Sequence, residues 1–232
     1  MTEEIKVKFT DALERLNPDN PLEMVFDYVR IRFPTQDVKH VVEDTLKLRL
    51  DVMIHEDFGF YSYEEHYVLG DVFVLTSPDK EKGTLLELKG KGCRQMESYL
   101  LAQHRSWYDF LMDALIEGGV MKRLDLAIND MAGILDIPEL TEKCNHEECI
   151  SVFRSFKSYR SGELVRSQEQ DKYGMGNTLY IGSLKSEVYF CIYEKDYEQY
   201  VKYDIPIEDT KIKNRFEIRL KNERAYYAVR DL

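Results

Sequence analysis

Three acidic residues, Glu87, Asp125 and Glu217, fall in the middle of segments with β-strand patterns, where Asp and Glu are uncommon. Side chains alternate between the two faces of a strand, so each carboxylate lies on a polar face, opposite the apolar side chains of its own strand. One interpretation is a carboxylate cluster that holds Mg²⁺ or Mn²⁺, which prefer oxygen ligands. The other is a solvated sheet face on which the carboxylates pair with arginine and lysine across strands. The three strands are predicted at 84–89, 123–129 and 215–221.

A fourth predicted strand, 187–193, ends in Tyr193, and Lys195 follows at the start of a predicted helix. A phenol is a poor nucleophile, with a pKa of about 10, but a metal ion bound to a phosphodiester makes the phosphorus more electrophilic. Cations such as Lys195 or Arg215 can stabilise the charge that develops on the phosphate, and the dipole of a helix start favours a bound phosphate. Attack on DNA would leave a phosphotyrosine and a free 3′ hydroxyl, so the strand could later be resealed.

Composition restricts the class of protein. The 232 residues are 44% hydrophobic and 32% charged, which is typical of a globular protein with a sizeable core. No apolar run approaches the roughly 18 residues of a membrane span, and no signal peptide follows Met1. The four cysteines are irregularly spaced, so we expect free thiols, a cytoplasmic location and no membrane partner. The net charge of −11 argues against a surface that binds nucleic acid all over, although residues 211–230 carry seven basic side chains and two acidic ones.

The strand and helix patterns follow an order that occurs twice: strand, helix, hairpin, strand, helix. TLLELK at 84–89 is similar to RFEIRLK at 215–221, and VFDYV at 25–29 is similar to RLDLA at 123–127. This weak repeat predicts an α+β fold of antiparallel sheet with helices packed on one face, in two pseudo-repeated halves at about 21–118 and 119–232. Helices are predicted at 37–48 and, as the longest one, at 93–117.

Three segments together resemble a known family. They are KRLDLAIND at 122–130, NTLYIGSLKSEVYFCIYEKDYEQ at 177–199 and NRFEIRLKNERA at 214–225. In this order they resemble the replication-initiator superfamily of staphylococcal-type rolling-circle plasmids. Within it they look closest to the MobT branch, the relaxases of conjugative transposons and other integrative conjugative elements. The resemblance begins at about Val25 and implies one catalytic domain, 1–232.

The resemblance implies site- and strand-specific nicking at an origin of transfer, with transient covalent attachment to the 5′ phosphate. The family's nucleophile lies in an Ile/Val-Tyr-Asx/Glu-Lys motif, which maps onto Tyr193 in Ile192-Tyr193-Glu194-Lys195. Lys195 and Arg215 are the predicted catalytic cations. The resemblance also implies a divalent metal, Mg²⁺ or Mn²⁺. Its first predicted ligands are Asp125 and Glu87, and Glu217 is the third.

Several alternatives stay open. Tyr189 lies on the same strand face as Tyr193 and is the rival nucleophile among 16 tyrosines. The implied partners are single-stranded or supercoiled DNA at the origin of transfer and conjugation accessory proteins, with a monomer or a dimer as the active form. A plasmid rolling-circle replication initiator would use the same chemistry, whereas a DNA-binding module would keep the fold without catalysis. No helix-turn-helix domain is visible, so the chain has the pattern of a catalytic core from a longer protein.

Overall fold

The computed structural model describes residues 21–159 and 176–231. The strands are β1 Leu22–Phe33, β2 Ile54–Glu56, β3 Glu65–Leu69, β4 Val72–Thr76, β5 Thr84–Lys89, β6 Val120–Asp130, β7 Phe156–Tyr159, β8 Thr178–Ile181, β9 Val188–Glu194 and β10 Asn214–Lys221. The helices are α1 Gly90–Ala102, α2 Trp107–Ile116, α3 Ile137–Asn145, α4 Lys195–Tyr203 and α5 Asn222–Arg230. Short helical turns lie at His40–Thr45, Leu50–Val52 and Ile207–Asp209. Within the described ranges, no helix has the length and apolar character that crossing a membrane requires.

These elements form two compact units, each of which is discontinuous in sequence. The first unit contains residues 26–126 and 220–231, and the second contains residues 21–25, 127–159 and 176–219. The strands β1, β6 and β10 each contribute residues to both units. The pseudo-repeated halves at about 21–118 and 119–232 stay a prediction, because a compact unit is defined by contacts and not by an internal repeat.

In the first unit the strand order is β2-β3-β4-β5-β1-β6. The pairs β2–β3, β3–β4, β4–β5 and β1–β5 are antiparallel. Leu86 and Leu88 of β5 are fully buried, and α1 packs against β4 and β5. Trp107, at the start of α2, stacks on Phe26 of β1 with ring centroids 4.5 Å apart and is 1% exposed. Removal of these large apolar side chains from water is the main stabilising contribution to this unit.

In the second unit the strand order is β6-β10-β9-β8-β7, and the pairs β7–β8 and β8–β9 are antiparallel. Leu179 of β8 and Ile192 of β9 pack with Ile137 of α3 in one buried cluster. Successive side chains of a strand point to opposite faces, so α3 covers the face that lies opposite the side chain of Tyr193. The prediction of an α+β fold built on antiparallel sheet is confirmed.

The structure corrects the longest predicted helix, 93–117, which is two helices. Ser106 begins α2 with a capping box: its hydroxyl accepts from the amide of Asp109 at 3.1 Å, and the Asp109 carboxylate accepts from the amide of Ser106 at 3.0 Å. His104, just before this cap, has a φ of +53°, which a continuous helix does not contain.

The helix predicted at 37–48 is also shorter than expected. It is helical only at 38–45, most of it a π-helical turn at His40–Thr45. Lys47 has a φ of +54°, so the backbone leaves the helical region soon after this turn.

Candidate active site

Tyr193 lies near the end of β9, and α4 begins two residues later at Lys195. In the pairing of β8 with β9, Tyr193 lies directly opposite Thr178, and Cys191 lies directly opposite Tyr180. Directly opposed residues of an antiparallel pair share one face of the sheet, so these four side chains lie together. The predicted junction of strand and helix is present, and Tyr193 is held on a paired strand.

The phenol of Tyr193 is hydrogen-bonded to a buried carboxylate. Its hydroxyl donates to Oε1 of Glu217 at 2.8 Å, and Glu217 is 1% exposed. The ammonium group of Lys195 lies 3.4 Å from the same phenolic oxygen and also pairs with Glu198. A proton acceptor and a cation therefore meet at the oxygen of the predicted nucleophile. The rival, Tyr189, is only 6% exposed, which leaves little of its side chain within reach of DNA.

Arg219 holds the other oxygen of Glu217. Its Nε donates to Oε2 at 2.8 Å, and its Nη2 lies 2.6 Å from the same oxygen. Burial opposes the charge of Arg219, but the charge of Glu217 and the contacts with Cys191 and Tyr189 together outweigh this effect, and the pKa of Arg219 is raised. Arg219 therefore stays positively charged at neutral pH and supplies Glu217 with a fixed cation.

The first amides of α4 have acceptors within the protein. The amides of Lys195 and Asp196 donate to the carbonyl of Lys213 at 2.8 and 3.2 Å, and the amide of Tyr197 donates to Oδ1 of Asp196 at 2.8 Å. A phosphate that binds directly to a helix start uses amides that have no acceptor in the protein. In this arrangement only the dipole of the helix would act on a phosphate, and that effect stays a prediction.

A glycine lets the beginning of β8 approach this junction. Gly176 has a φ of +75°, and a Cβ atom there would lie 2.7 Å from Cβ of Tyr197. Asn177, the next residue, donates its backbone amide to Oε2 of Glu194 at 2.6 Å and its side-chain amide to the same oxygen at 2.9 Å. These bonds fasten β8 to the residue that follows Tyr193.

A cleft of about 300 Å³ opens beside Tyr193 in the second unit. Tyr193 and Tyr180 line it from the sheet, Arg219 lines it from β10, and Lys202 lines it from α4. The phenol therefore borders a space that a ligand can enter.

Arg215, the second predicted cation, lies within the second unit and is 8% exposed. Its Nε donates to Oδ1 of Asn129 at 2.7 Å, and the side-chain amide of Asn129 donates to Oε2 of Glu23 at 2.8 Å. The charge of Arg215 is thus part of a buried polar network and not of an exposed basic surface.

Asp130, at the end of β6, is a fully buried carboxylate with several hydrogen-bond donors. It accepts from the amides of Ala132 at 3.1 Å and Leu135 at 2.8 Å, and from the side-chain amide of Asn214 at 3.1 Å. The amide of Lys213 also donates to the backbone carbonyl of Asp130 at 2.9 Å. Asp130 therefore fastens the end of β6 to the start of β10, one of the strands of the candidate site.

We expect Asp130→Asn to lower the free energy of unfolding by about 2 kcal/mol at pH 7, the range for hydrogen bonds to a charged group. Burial raises the pKa of Asp130, but the hydrogen bonds from Leu135, Asn214 and neighbouring backbone amides together outweigh it, and the pKa is lowered. Such a group adds stability that is present above its unfolded pKa of about 3.9 and is lost as pH falls through the lower folded value. Urea denaturation of both proteins across this pH range should show the difference shrinking in acid.

Asp57→Asn serves as the control for this series, because the Asp57 side chain is 98% exposed. It should leave the denaturation midpoint unchanged at every pH. A difference between the parent protein and Asp130→Asn that stays constant down to the lowest pH would contradict the role assigned to the carboxylate.

Glu87, in the first unit, is fully buried and lies directly opposite Arg30 of β1. Its Oε1 accepts hydrogen bonds from the hydroxyl of Tyr28 and the guanidinium group of Arg30, and Nζ of Lys89 lies 3.4 Å from Oε2. Burial raises the pKa of Glu87, but these two hydrogen bonds outweigh it and the pKa is lowered. Burial and the bond to Glu87 raise the pKa of Tyr28, so this tyrosine is a hydrogen-bond donor and a poor nucleophile.

Asp125, also in the first unit, is 2% exposed and is held by an arginine of its own strand. Nε of Arg123 donates to Oδ1 at 2.9 Å and Nη2 donates to Oδ2 at 2.5 Å. The guanidinium group of Arg123 lies 4.0 Å from the ring centroid of Tyr28. Because Tyr28 also donates to Glu87, one network joins both predicted first ligands of the metal.

The predicted metal ligands have the chemistry that Mg²⁺ or Mn²⁺ requires, because all three are carboxylates. Oε2 of Glu87 is buried and accepts no hydrogen bond, but Nζ of Lys89 lies 3.4 Å from it, so a cation already approaches this oxygen. The oxygens of Asp125 and Glu217 accept bonds from arginine and tyrosine side chains. In residues 21–159 and 176–231, no three His, Cys, Asp or Glu side chains are grouped so as to hold a metal ion. The metal site therefore stays a prediction.

Sequence reasoning missed several residues that complete these clusters. Tyr28 and Arg30, the partners of Glu87, alternate along β1, which is the pattern that could have indicated a polar strand face. Arg219 shares the polar face of β10 with Glu217. Alternation along the strand therefore predicted the face on which Arg219 lies, but not its pairing with Glu217.

Comparison with known proteins relates this chain to a family. Residues 23–113 match the family model described as the rolling circle replication initiation protein N-terminal domain, and residues 119–232 match that described as replication initiation factor. The chain is 45% identical over 212 residues to "Putative DNA relaxase NicK" of Bacillus subtilis (strain 168). That alignment covers 91% of this chain, and the chain spans 59% of the relative's length.

The fold has a counterpart among solved structures. It matches that of a rolling circle replication initiator protein from Geobacillus stearothermophilus with a TM-score of 0.72, over 90% of this chain and 78% of the other. The sequence identity is 24%, so this likeness concerns the fold. The two family models, which together match residues 23–113 and 119–232, and the relaxase-like relative confirm the resemblance to rolling-circle initiators seen in the sequence motifs: the chain belongs to the rolling-circle replication-initiator superfamily.

Proposed function

We propose that this chain nicks one strand of DNA at an origin of transfer, with Tyr193 as the nucleophile, and so initiates the transfer of an integrative conjugative element. The observation that carries the proposal is the contact of the Tyr193 hydroxyl with Glu217 at 2.8 Å beside an open cleft. The 45% identity to a protein named as a DNA relaxase supports the same reaction class.

In the proposed step, the phenolic oxygen of Tyr193 attacks the phosphorus of a backbone phosphodiester. A bond forms between this oxygen and phosphorus, and the bond between phosphorus and the 3′ oxygen breaks. Glu217 takes the phenolic proton, and the departing 3′ oxygen takes up a proton to become a hydroxyl. The products are a phosphotyrosine on the 5′ end and a free 3′ end, so the energy of the phosphodiester is conserved.

Lys195 is suited to support this step because its ammonium group lies 3.4 Å from the attacking oxygen. It favours the phenolate as the proton leaves and lies near the negative charge of the incoming phosphate. Arg215 stays the second predicted cation, and it acts from the network that it forms with Asn129.

We propose further that the reaction depends on a divalent metal, Mg²⁺ or Mn²⁺, with ligands among Glu87, Asp125 and Glu217. A bound metal would neutralise charge on the scissile phosphate. Glu87 has one buried oxygen, Oε2, that accepts no hydrogen bond and lies 3.4 Å from Nζ of Lys89, which a metal ion bound there would displace. The protein's own contribution in the first unit is to lower the pKa of Glu87 with the help of Arg30 and to hold Asp125 in place with Arg123.

A plasmid replication initiator is the second candidate function. Both matching family models carry the description of a replication initiator, and the nicking chemistry is the same. The two functions differ in their substrate, because an initiator nicks a double-strand origin to prime synthesis on its own replicon. Extension of the free 3′ end on a supercoiled plasmid that carries the flanking DNA of the gene would favour the initiator.

The proposed reaction predicts a metal-dependent covalent adduct between this protein and single-stranded DNA from the region that flanks its gene. The adduct should form with Mn²⁺, disappear with EDTA and migrate more slowly than free protein on a denaturing gel. After digestion with a nuclease and trypsin, mass spectrometry should find a nucleotide on the peptide that contains Tyr193.

Heat-denatured protein is the control for non-specific cross-linking. An adduct on another tyrosine would contradict the choice of Tyr193. The absence of an adduct with single-stranded and supercoiled DNA, at any concentration of Mn²⁺ or Mg²⁺, would favour the non-catalytic DNA-binding alternative.

A further inference from the structure

The cleft beside Tyr193 has walls that differ in chemistry. Tyr193 and Tyr180 contribute aromatic rings from the sheet, and Val201 contributes an apolar side chain from α4. Its volume of about 300 Å³ lies at the lower end of the range of small-ligand pockets. That volume has room for a single planar ring system and excludes a DNA duplex.

The charges around the cleft balance. Lys202 and Arg219 supply two positive charges, and Glu194 and Glu198 supply two negative ones. Lys202 is paired with Glu198, and Arg219 is paired with Glu217. A phosphate group would find cations that carboxylates already neutralise, whereas a neutral group with polar edges would find both donors and acceptors.

Tyr180 lies close enough to the nucleophile to contact an adjacent nucleotide. It pairs with Cys191, two residues along β9 from Tyr193, which corresponds to about 7 Å along the strand. Its ring meets the ring of Tyr159 edge-to-face, with centroids 6.0 Å apart. Tyr159 is 49% exposed, and Nζ of Lys157 lies 4.7 Å from its ring centroid. Aromatic rings and cations thus continue outward from the cleft, as in surfaces that bind single strands.

We propose that this cleft binds the unstacked base of a nucleotide next to the scissile phosphate, with Tyr180 as the stacking surface, and that it sets sequence preference at that position. The proposal rests on the proposed nicking function. An unpaired base is planar, neutral and polar at its edges, which fits the size and the balanced charge of the cleft. Stacking on Tyr180 would hold the strand so that the neighbouring phosphate reaches Tyr193.

Two variants test the inference without altering the residues assigned to catalysis. Tyr180→Leu removes the stacking ring, and Val201→Phe fills the cleft from α4. The matched control is Tyr203→Leu, on the same helix as Val201, because Tyr203 is 53% exposed and does not line the cleft. Equal thermal unfolding midpoints for the parent and the variants show that each one is folded.

The measurement is the base preference around the nick, read by sequencing the DNA in the covalent adduct. The substrate is the mapped nick segment, randomised on both sides of the nick. We expect both variants to bind the strand about tenfold more weakly, the effect of one stacked base, and to lose the base preference at one neighbouring position, because the walls of the cleft no longer enclose that base. Both variants should also form less total adduct, because the strand is held less firmly near Tyr193. Preference at the other positions and the Tyr203→Leu control should be unchanged. An unchanged profile in both variants, with normal nicking, would overturn the base site and leave the proposed function intact.

A binding measurement separates the two proposals when no adduct forms. Short random-sequence oligonucleotides with a single 2-aminopurine are added to the parent protein, and stacking on Tyr180 should quench the fluorescence. If the parent protein and Tyr203→Leu quench the fluorescence but Tyr180→Leu and Val201→Phe do not, the base site is supported even though the nicking function has failed. Quenching that is absent from the parent protein, or that persists in both variants, would overturn the base site.

Discussion

Tyr193→Phe is expected to abolish the covalent protein–DNA adduct and to lower the nicking rate by more than about 10³-fold, as removal of a nucleophile does in other enzymes. The substitution removes the hydroxyl that donates to Glu217 at 2.8 Å and keeps the ring that lines the cleft. The effect on folding should therefore be small and the effect on chemistry complete. Adduct and nicked DNA are measured together on a denaturing gel with Mn²⁺.

Tyr189→Phe is the matched control, because Tyr189 lies on the same face of the same strand but is 6% exposed. The Tyr189→Phe variant should still form the covalent adduct, and it should change mainly the free energy of unfolding. The assignment of Tyr193 would be wrong if its phenylalanine variant kept forming the adduct, and Tyr189 would become the nucleophile if its own variant lost it.

Arg219→Met is expected to lower the free energy of unfolding by about 3 kcal/mol, the lower end of the range for breaking a buried ion pair. Glu217 is 2% exposed at its side chain, so the variant leaves a buried negative charge without its main cation. The lower end applies because 23% of the Arg219 side chain is exposed and part of the charge is screened by solvent. Urea denaturation at pH 7 measures the loss.

A double-mutant cycle distinguishes the interaction energy of the Glu217–Arg219 ion pair from the loss of packing that each substitution causes. The double variant, Glu217→Gln with Arg219→Met, should lose less free energy of unfolding than the two single variants lose together. The difference, which is the coupling energy, should be at least about 1 kcal/mol. The control cycle uses Glu139 and Lys143, an exposed pair one turn apart on α3, which should couple by about 0.5 kcal/mol or less. Equal coupling in the two cycles would contradict a buried, structural pair at Glu217.

Much of the fold was predictable because it depends on local patterns. The alternation of Phe216, Ile218 and Leu220 with polar residues identified β10, and the same rule identified β9. The division of the predicted helix at 93–117 was missed because the cap at Ser106 uses Asp109, and a capping box is usually recognised by Glu or Gln at that position. Backbone at positive φ, such as that of His104, has no comparable signal in a non-glycine residue.

The candidate site was predictable in part for the same reason. The alternation of side chains along a strand placed Tyr193 and Glu217 on polar strand faces, and the structure shows that their side chains meet. Alternation could not identify Arg30 as the partner of Glu87, because the register of two strands far apart in sequence depends on the whole sheet. It also could not foresee that the amides of Lys195 and Asp196, at the start of α4, would donate to the carbonyl of Lys213.

The hydrogen bond between Tyr193 and Glu217 has a consequence for the proton inventory of the proposed reaction. One proton leaves the phenol when the strand is cut, and one proton joins the 3′ oxygen, so the overall exchange with solvent is zero. The equilibrium between sealed and cut DNA should therefore be insensitive to pH. The torsional tension of the DNA, which a cut releases, would instead determine how much of the DNA stays open.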